Sequence, residues 1–113
     1  MGTRRLDLEG LLAAASYQGD ALRGEDVLAA IASLPHFRGD ENALRAELAW
    51  PTFAAAVGFV AEVARLAERQ NHHPDVDLRH RRVRLELRSH DVDGVSRRDI
   101  ELAQAVERLL GAV

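Results

Sequence analysis

The chain has no cysteine and no lysine. The first absence removes disulfide frameworks, thiol nucleophiles and cysteine-ligated zinc from consideration. The second means that all fifteen basic residues are arginine, which fits GC-rich bacterial coding and carries little functional weight. There is no basic excess either: eighteen acidic side chains give a net charge of -3, against the positive balance expected of a nucleic-acid binder. Asp7 and Glu9 break the apolar stretch that a signal peptide needs, and no run of about 18 apolar residues follows. A cytoplasmic chain is therefore expected, neither exported nor inserted in a membrane. Internal repeats and low-complexity segments are also lacking.

What is present is one domain's worth of chain, 113 residues of which 47% are apolar and 29% charged. Leu6, Leu8, Leu11 and Leu12 give a weak helical pattern over residues 6–15 that ends near Gly19-Asp20. Val27, Leu28, Ile31 and Leu34 recur at helical spacing between Gly24 and Pro35. Leu44, Ala46, Leu48 and Trp50 then alternate with charged or small residues, the pattern of a half-buried strand that stops at Pro51. Pro51 suits the first turn of a helix running to about Asn71. That helix carries two apolar stripes: Phe53, Val57, Val60, Ala64 and Ala67 form one, and Phe59, Val63 and Leu66 the other. One can cover a sheet, and the second calls for another cover, such as a partner subunit. Trp50 reads as core or interface.

Val76 and Leu78, then Val83, Leu85 and Leu87, alternate with charged residues and give two amphipathic strands. The turn near Arg81 has neither glycine nor asparagine, so the hairpin rests on the alternation alone. Ser96 and Asp99 then form a variant capping box for a closing helix whose buried face is Ile100, Ala103, Val106 and Leu110. The sum is an α+β domain, an antiparallel β-sheet with helices packed on one face.

Three of the five histidines fall in two short segments, Glu68-Arg69-Gln70-Asn71-His72-His73-Pro74 and Ser89-His90. Imidazole, with an unperturbed pKa of about 6.5, exchanges protons near neutral pH without tuning. Glu68 and His72 are four apart, so a helix persisting to His72 puts both on one face, where the carboxylate orients the ring and favours its charged form. The plainer reading is a helical surface pair of about 0.2–0.5 kcal/mol. His73 reads equally as a residue meeting helix-terminal carbonyls, and His90 as a solvated strand end. His36 and His80 read as structural or surface residues. Asp99 is explained by the cap and stands outside the catalytic set. A zinc site built from His72, His73 and His90 is a rival that metal analysis would test, but adjacent side chains diverge and no His-Glu-x-x-His motif is present.

From about Leu22 to its end the chain resembles the pterin-4a-carbinolamine dehydratases, a family also known for a dimerisation-cofactor role in transcription. The resemblance is carried by Glu68, His72-His73-Pro74, His90 and Ser96-Arg97-Arg98-Asp99 in the family's order and spacing. Phe53, Phe59 and Leu34-Pro35-His36-Phe37 add to it, the last with phenylalanine for the family's tryptophan. The chain departs from the pattern at His80, where an aromatic residue is usual, and at Val76, where some members have tryptophan in the pterin pocket. Residues 1–21 would be an extension of unknown role and residues 22–113 the dehydratase-like domain.

The resemblance implies dehydration of a 4a-hydroxytetrahydropterin to the quinonoid dihydropterin, with neither metal nor organic cofactor. By the same analogy His72 and His90 would be acids facing the hydroxyl, and His73 would bind substrate and act as base. Glu68, Pro74 and Ser89 would support the site or contact substrate. The second stripe of the long helix points to a homodimer or homotetramer, and the charge balance and lack of a long apolar run to no direct nucleic-acid contact and no membrane. The competing reading is a non-catalytic oligomeric interaction module of the same fold, with a protein partner.

Overall fold

A computed structural model describes residues 20–112, so the helix expected over residues 6–15 and nearly all of the extension 1–21 lie outside the described residues. The described chain runs α1 (Gly24–Ile31), β1 (Arg38–Gly39), β2 (Leu44–Ala49), α2 (Phe53–Gln70), β3 (Asp75–Arg79), β4 (Arg82–Leu87) and α3 (Arg97–Ala112). The four strands form one antiparallel sheet in the order β1-β2-β4-β3. This is the α+β arrangement expected.

Period-two alternation decides the two faces of the sheet. Leu44, Ala46, Val83, Leu85 and Leu87 are buried, and Leu48 and Leu78 pack beside them. Each such residue on β2 stands opposite another on β4, Leu44 on Leu87, Ala46 on Leu85 and Leu48 on Val83, so one apolar face results. α2 covers it with Ala56, Phe59, Val63 and Ala67, and α3 with Ile100, Leu102, Ala103 and Val106. Burying a side chain of this size contributes about 1.5–3 kcal/mol. The other face is a grid of charge in which Arg84 meets Glu47 at 3.3 Å and Arg45 meets Glu86 at 3.5 Å.

Four expectations need correction. Pro51 lies before α2 and not in its first turn, because Thr52 caps the helix with its hydroxyl accepting from the Ala55 N–H at 3.0 Å. The stripes of α2 mix: Ala67 belongs with the buried Phe59 and Val63, whereas Phe53 and Val57 remain 52% and 42% exposed. α1 ends at Ile31, short of Leu34, which sits in a following turn. Leu28 stays 63% exposed while Ala30 takes the buried place. β1 has only two residues and no alternation to reveal it. It exists because Gly39, at φ 149°, lets the chain pass where a β-carbon would come within 2.1 Å of the Ala43 carbonyl.

The hairpin between β3 and β4 turns at His80 and Arg81, with His80 in the left-handed region at φ 54°. Phe37 is buried, and the partly buried Trp50 packs against the core with its ring centroid 4.9 Å from that of Phe59. His36 is held by Glu107 of α3 at 2.7 Å, a structural role at a distance from the other histidines in sequence.

Candidate active site

The end of α2 places the first histidines. Asn71 leaves the helix in a left-handed conformation, φ 52° and ψ 42°, and its N–H returns to the carbonyls of Ala67 and Glu68. The His72 N–H also returns to Ala67, at 3.1 Å. This sharp closure points His72 inward and lets His73 turn back along the helix. Pro74, half-buried, then leads into β3.

The expected pairing of Glu68 with His72 does not occur. The helix stops at Gln70, so the four-residue helical spacing no longer applies, and Glu68 Oε2 meets His73 Nε2 at 2.6 Å instead. Both side chains of that pair are mainly exposed. His72 Nε2 lies 2.6 Å from Asp99 Oδ1, with the His72 side chain 12% exposed and Asp99 fully buried. A carboxylate orients His72, but it comes from α3.

His90 and Asp91 are presented by a closed loop over residues 89–94. The Ser89 N–H donates to the Gly94 carbonyl at 2.8 Å, and the Gly94 N–H donates back at 3.3 Å. Gly94 sits over Glu41, where a β-carbon would meet the Glu41 carbonyl at 2.8 Å, and the Val95 N–H bonds that same carbonyl. Arg88 pairs with Asp93, which occupies the left-handed region at φ 54°.

His72, His73 and His90 line one cleft of about 290 Å³, together with Asn71, Arg88, Ser89, Asp91 and Arg98. Glu68 and Pro74 are not among the lining residues. Ser89 is buried, and its hydroxyl is turned to Ser96 Oγ at 2.6 Å and Asp99 Oδ2 at 2.8 Å. It lies beneath the cleft as a supporting residue. The Ser96 N–H also reaches Asp99 Oδ2, at 2.9 Å, so the expected cap is present and accounts for one carboxylate oxygen. Asp99 therefore both caps α3 and holds His72.

On Arg98, the guanidinium bonds Asp91 at 2.7 Å, and this hydrogen bond is the main reason that the Asp91 carboxyl sits below its ordinary 3.8, against a smaller opposing effect of desolvation. A larger hollow of about 520 Å³ lies on the polar sheet face, lined by His36, Arg45, Glu47 and Arg84 among others, but those four charges already have partners. Among the described residues no group of three or more histidine, cysteine, aspartate or glutamate side chains has the geometry to hold a metal ion. No helix among them is long and apolar enough to cross a membrane.

Chemically, the cleft offers two imidazoles backed by carboxylates and a third, His90, that is exposed and makes no hydrogen bond among the described residues. Sequence reasoning missed Asp99, Arg98 and Asn71 as site residues. The available signal for Asp99 was its place at the end of the Ser-Arg-Arg-Asp segment.

A sequence model of the family described as Pterin 4 alpha carbinolamine dehydratase matches residues 20–109. A Mycobacterium leprae protein with the provisional name of pterin-4-alpha-carbinolamine dehydratase is 39% identical over 90 residues, covering 80% of this chain and 96% of its own length. A Chloroflexus aurantiacus protein with the same provisional name is 40% identical over 81 residues, 72% of this chain and 87% of its own. The crystal structure of a transcriptional coactivator/pterin dehydratase from Brucella melitensis superposes with a TM-score of 0.75 at 26% identity, covering 80% of this chain and 98% of that one. A pterin dehydratase-like protein identified as a RuBisCO assembly factor in the alpha-carboxysome shares the fold, with a TM-score of 0.55 and 21% identity over 66% of this chain and 87% of that one.

Proposed function

Since the chain belongs to the pterin-4-alpha-carbinolamine dehydratase family, we propose that it removes water from a 4a-hydroxytetrahydropterin by histidine acid–base catalysis. The observation that carries this reading is the convergence of His72, His73 and His90 on one cleft, two of them backed by carboxylates.

In the proposed reaction an imidazolium protonates the C4a hydroxyl, and the C–O bond breaks with its electron pair leaving on water. A neutral imidazole takes the N5 proton, and the N–H electron pair becomes the N5=C4a bond of the quinonoid dihydropterin. Protons balance between the two rings, and positioned groups of this kind each contribute roughly 10²- to 10⁴-fold. His72 suits the acid role because its ring is held at Nε2 by the buried Asp99 carboxylate, 2.6 Å away. His90 shares the hydroxyl side, and His73, steadied by Glu68, receives the N5 proton. Replacing His73 with alanine is expected to cut turnover strongly while leaving fold and assembly intact, since its ring is exposed and, among the described residues, bonded to Glu68 alone. Wild-type turnover by His73→Ala would remove His73 from the mechanism.

Phe53 and Val57, one helical turn apart on α2 and exposed, support self-association as a homodimer or homotetramer. The same surface and the coactivator and assembly-factor relatives favour a second reading, an interaction module with a protein partner. A partner that binds a variant with His72, His73 and His90 all replaced by alanine as tightly as wild type, in a protein without dehydratase activity, would select it.

A further inference from the structure

Resting on that acid–base reading, we infer that Ser89, Ser96 and Arg98 are positioning residues that act through Asp99 to fix where His72 carries its proton. They form a hydrogen-bond chain whose direction is set at each step by counting donors. Arg98 Nε can only donate, so Ser96 Oγ accepts from it at 3.2 Å. Ser96 Oγ also accepts from the Arg98 backbone N–H at 3.2 Å, which leaves its single proton for Ser89 Oγ, 2.6 Å away. Ser89 then has one proton left to give, and Asp99 Oδ2 takes it at 2.8 Å. With the Ser96 N–H at 2.9 Å, that oxygen has two donors. Both contacts use that oxygen as an acceptor, which leaves Oδ1 of the carboxylate to face His72.

Asp99 Oδ1 is consequently an acceptor only, and His72 Nε2, 2.6 Å from it, must carry a hydrogen whether the ring is neutral or charged. Nδ1 is the nitrogen left to give and take the catalytic proton. Ser89, Ser96 and Asp99 are all buried, so water does not substitute for a missing link, and the low local dielectric strengthens each one. Capping alone does not account for the arrangement. A cap needs Ser96 and Asp99, whereas the Ser89 hydroxyl gives nothing to the helix terminus and satisfies only the side chains of that pair. The chain also begins at the cleft it serves, because the Arg98 guanidinium that contacts Ser96 also holds Asp91.

Other charges near His72 do not set its proton in this way. Asp91 from the 89–94 loop is offset by Arg98 of α3, and Glu68 of α2 is engaged with His73. Arg88, just after β4, is paired with Asp93, and His90 lines the same cleft without a bond to the His72–Asp99 pair.

The test is nitrogen-resolved NMR of the histidine rings across pH, on the full chain and on Ser89→Ala and Arg98→Lys. The second variant keeps the positive charge beside Asp91 but removes the Nε donor. Wild type is expected to show neutral His72 as a single Nε2–H tautomer. Ser89→Ala should show a tautomer mixture and a lower imidazolium pKa than wild type, because Asp99 Oδ2 then loses one of the two donors that hold it. Arg98→Lys should move both in the same direction by less. Val83→Ala, a core change remote from the chain of bonds, should move neither. An unmoved tautomer and pKa in both Ser89→Ala and Arg98→Lys would overturn the inference, even with full dehydratase activity in wild type. Wild type without dehydratase activity but with these ring shifts would overturn the reaction assignment and leave the inference standing.

Discussion

Exchanging one oxygen of Asp99 for an amide nitrogen probes the site with little change of shape. In Asp99→Asn the Ser96 backbone N–H, an obligate donor 2.9 Å from Oδ2, requires the amide oxygen to stay on that side. The amide nitrogen then faces His72 Nε2, where an acceptor stood 2.6 Å away. Nε2 must give up its hydrogen to accept from that amide, so an imidazolium, which carries N–H on both nitrogens, has no acceptor there. The charged ring also loses the carboxylate that holds it at Nε2. With the acid contribution of His72 lost, the expected fall in turnover is about 10²- to 10³-fold. Stability should drop by only about 1–2 kcal/mol, since the hydroxyl of Ser89 still finds an acceptor. Asp99→Ala, which strands the Ser89 hydroxyl, the Ser96 N–H and the His72 ring and removes the cap, should cost about 3–5 kcal/mol. Dehydration rates followed by absorbance, with urea unfolding of the same samples, separate the two effects. A folded Asp99→Asn protein turning over at close to the wild-type rate would refute the argument.

Three further outcomes follow from the geometry. Gly39→Ala places a β-carbon 2.1 Å from the Ala43 carbonyl at φ 149°, so urea unfolding should show a loss of about 2–3 kcal/mol; an unchanged midpoint would count against the tight β1–β2 turn. Asp91 has its folded-state pKa depressed by Arg98, so the stability it contributes is present above the ordinary 3.8 and fades as pH falls through the lower folded value. The difference in unfolding midpoint between wild type and Asp91→Asn should therefore be steady at neutral pH and close in acid, and a gap that widened in acid would contradict the Arg98 contact. Phe53→Glu with Val57→Glu puts charge on the exposed face of α2, and sedimentation should then find the 12.5 kDa monomer where wild type sediments as a larger species. Equal masses for the two proteins would remove that face from the interface.

The alternating strands and the long amphipathic helix were legible because each places its apolar residues at a fixed period, 2.0 for β2 and β4 and about 3.6 for α2, and the sheet has one wet face to make the alternation plain. The histidine segments were legible by composition and by resemblance. Partner choice was not. Glu68 stands four residues before His72, which is a helical neighbour only while the helix lasts, and the left-handed Asn71 hands Glu68 to His73 instead. Asp99 was read as a cap and is one, but a carboxylate has two oxygens, and local sequence accounts for only the first. The second is claimed by a residue 27 positions away, a contact created by α3 packing against the end of α2. The two-residue β1 is too short for any periodic signal. Thr52 outcompeted Pro51 for the helix start because its hydroxyl satisfies an N–H that a proline ring leaves bare.

The central claim is tested most directly by the dehydration rate of freshly generated 4a-hydroxytetrahydropterin, followed by absorbance, with the wild-type chain beside a well-folded variant in which His72, His73 and His90 are all alanine. Acceleration by wild type and none by the variant is the predicted result. No acceleration by folded wild type, or equal acceleration by both, would contradict the account.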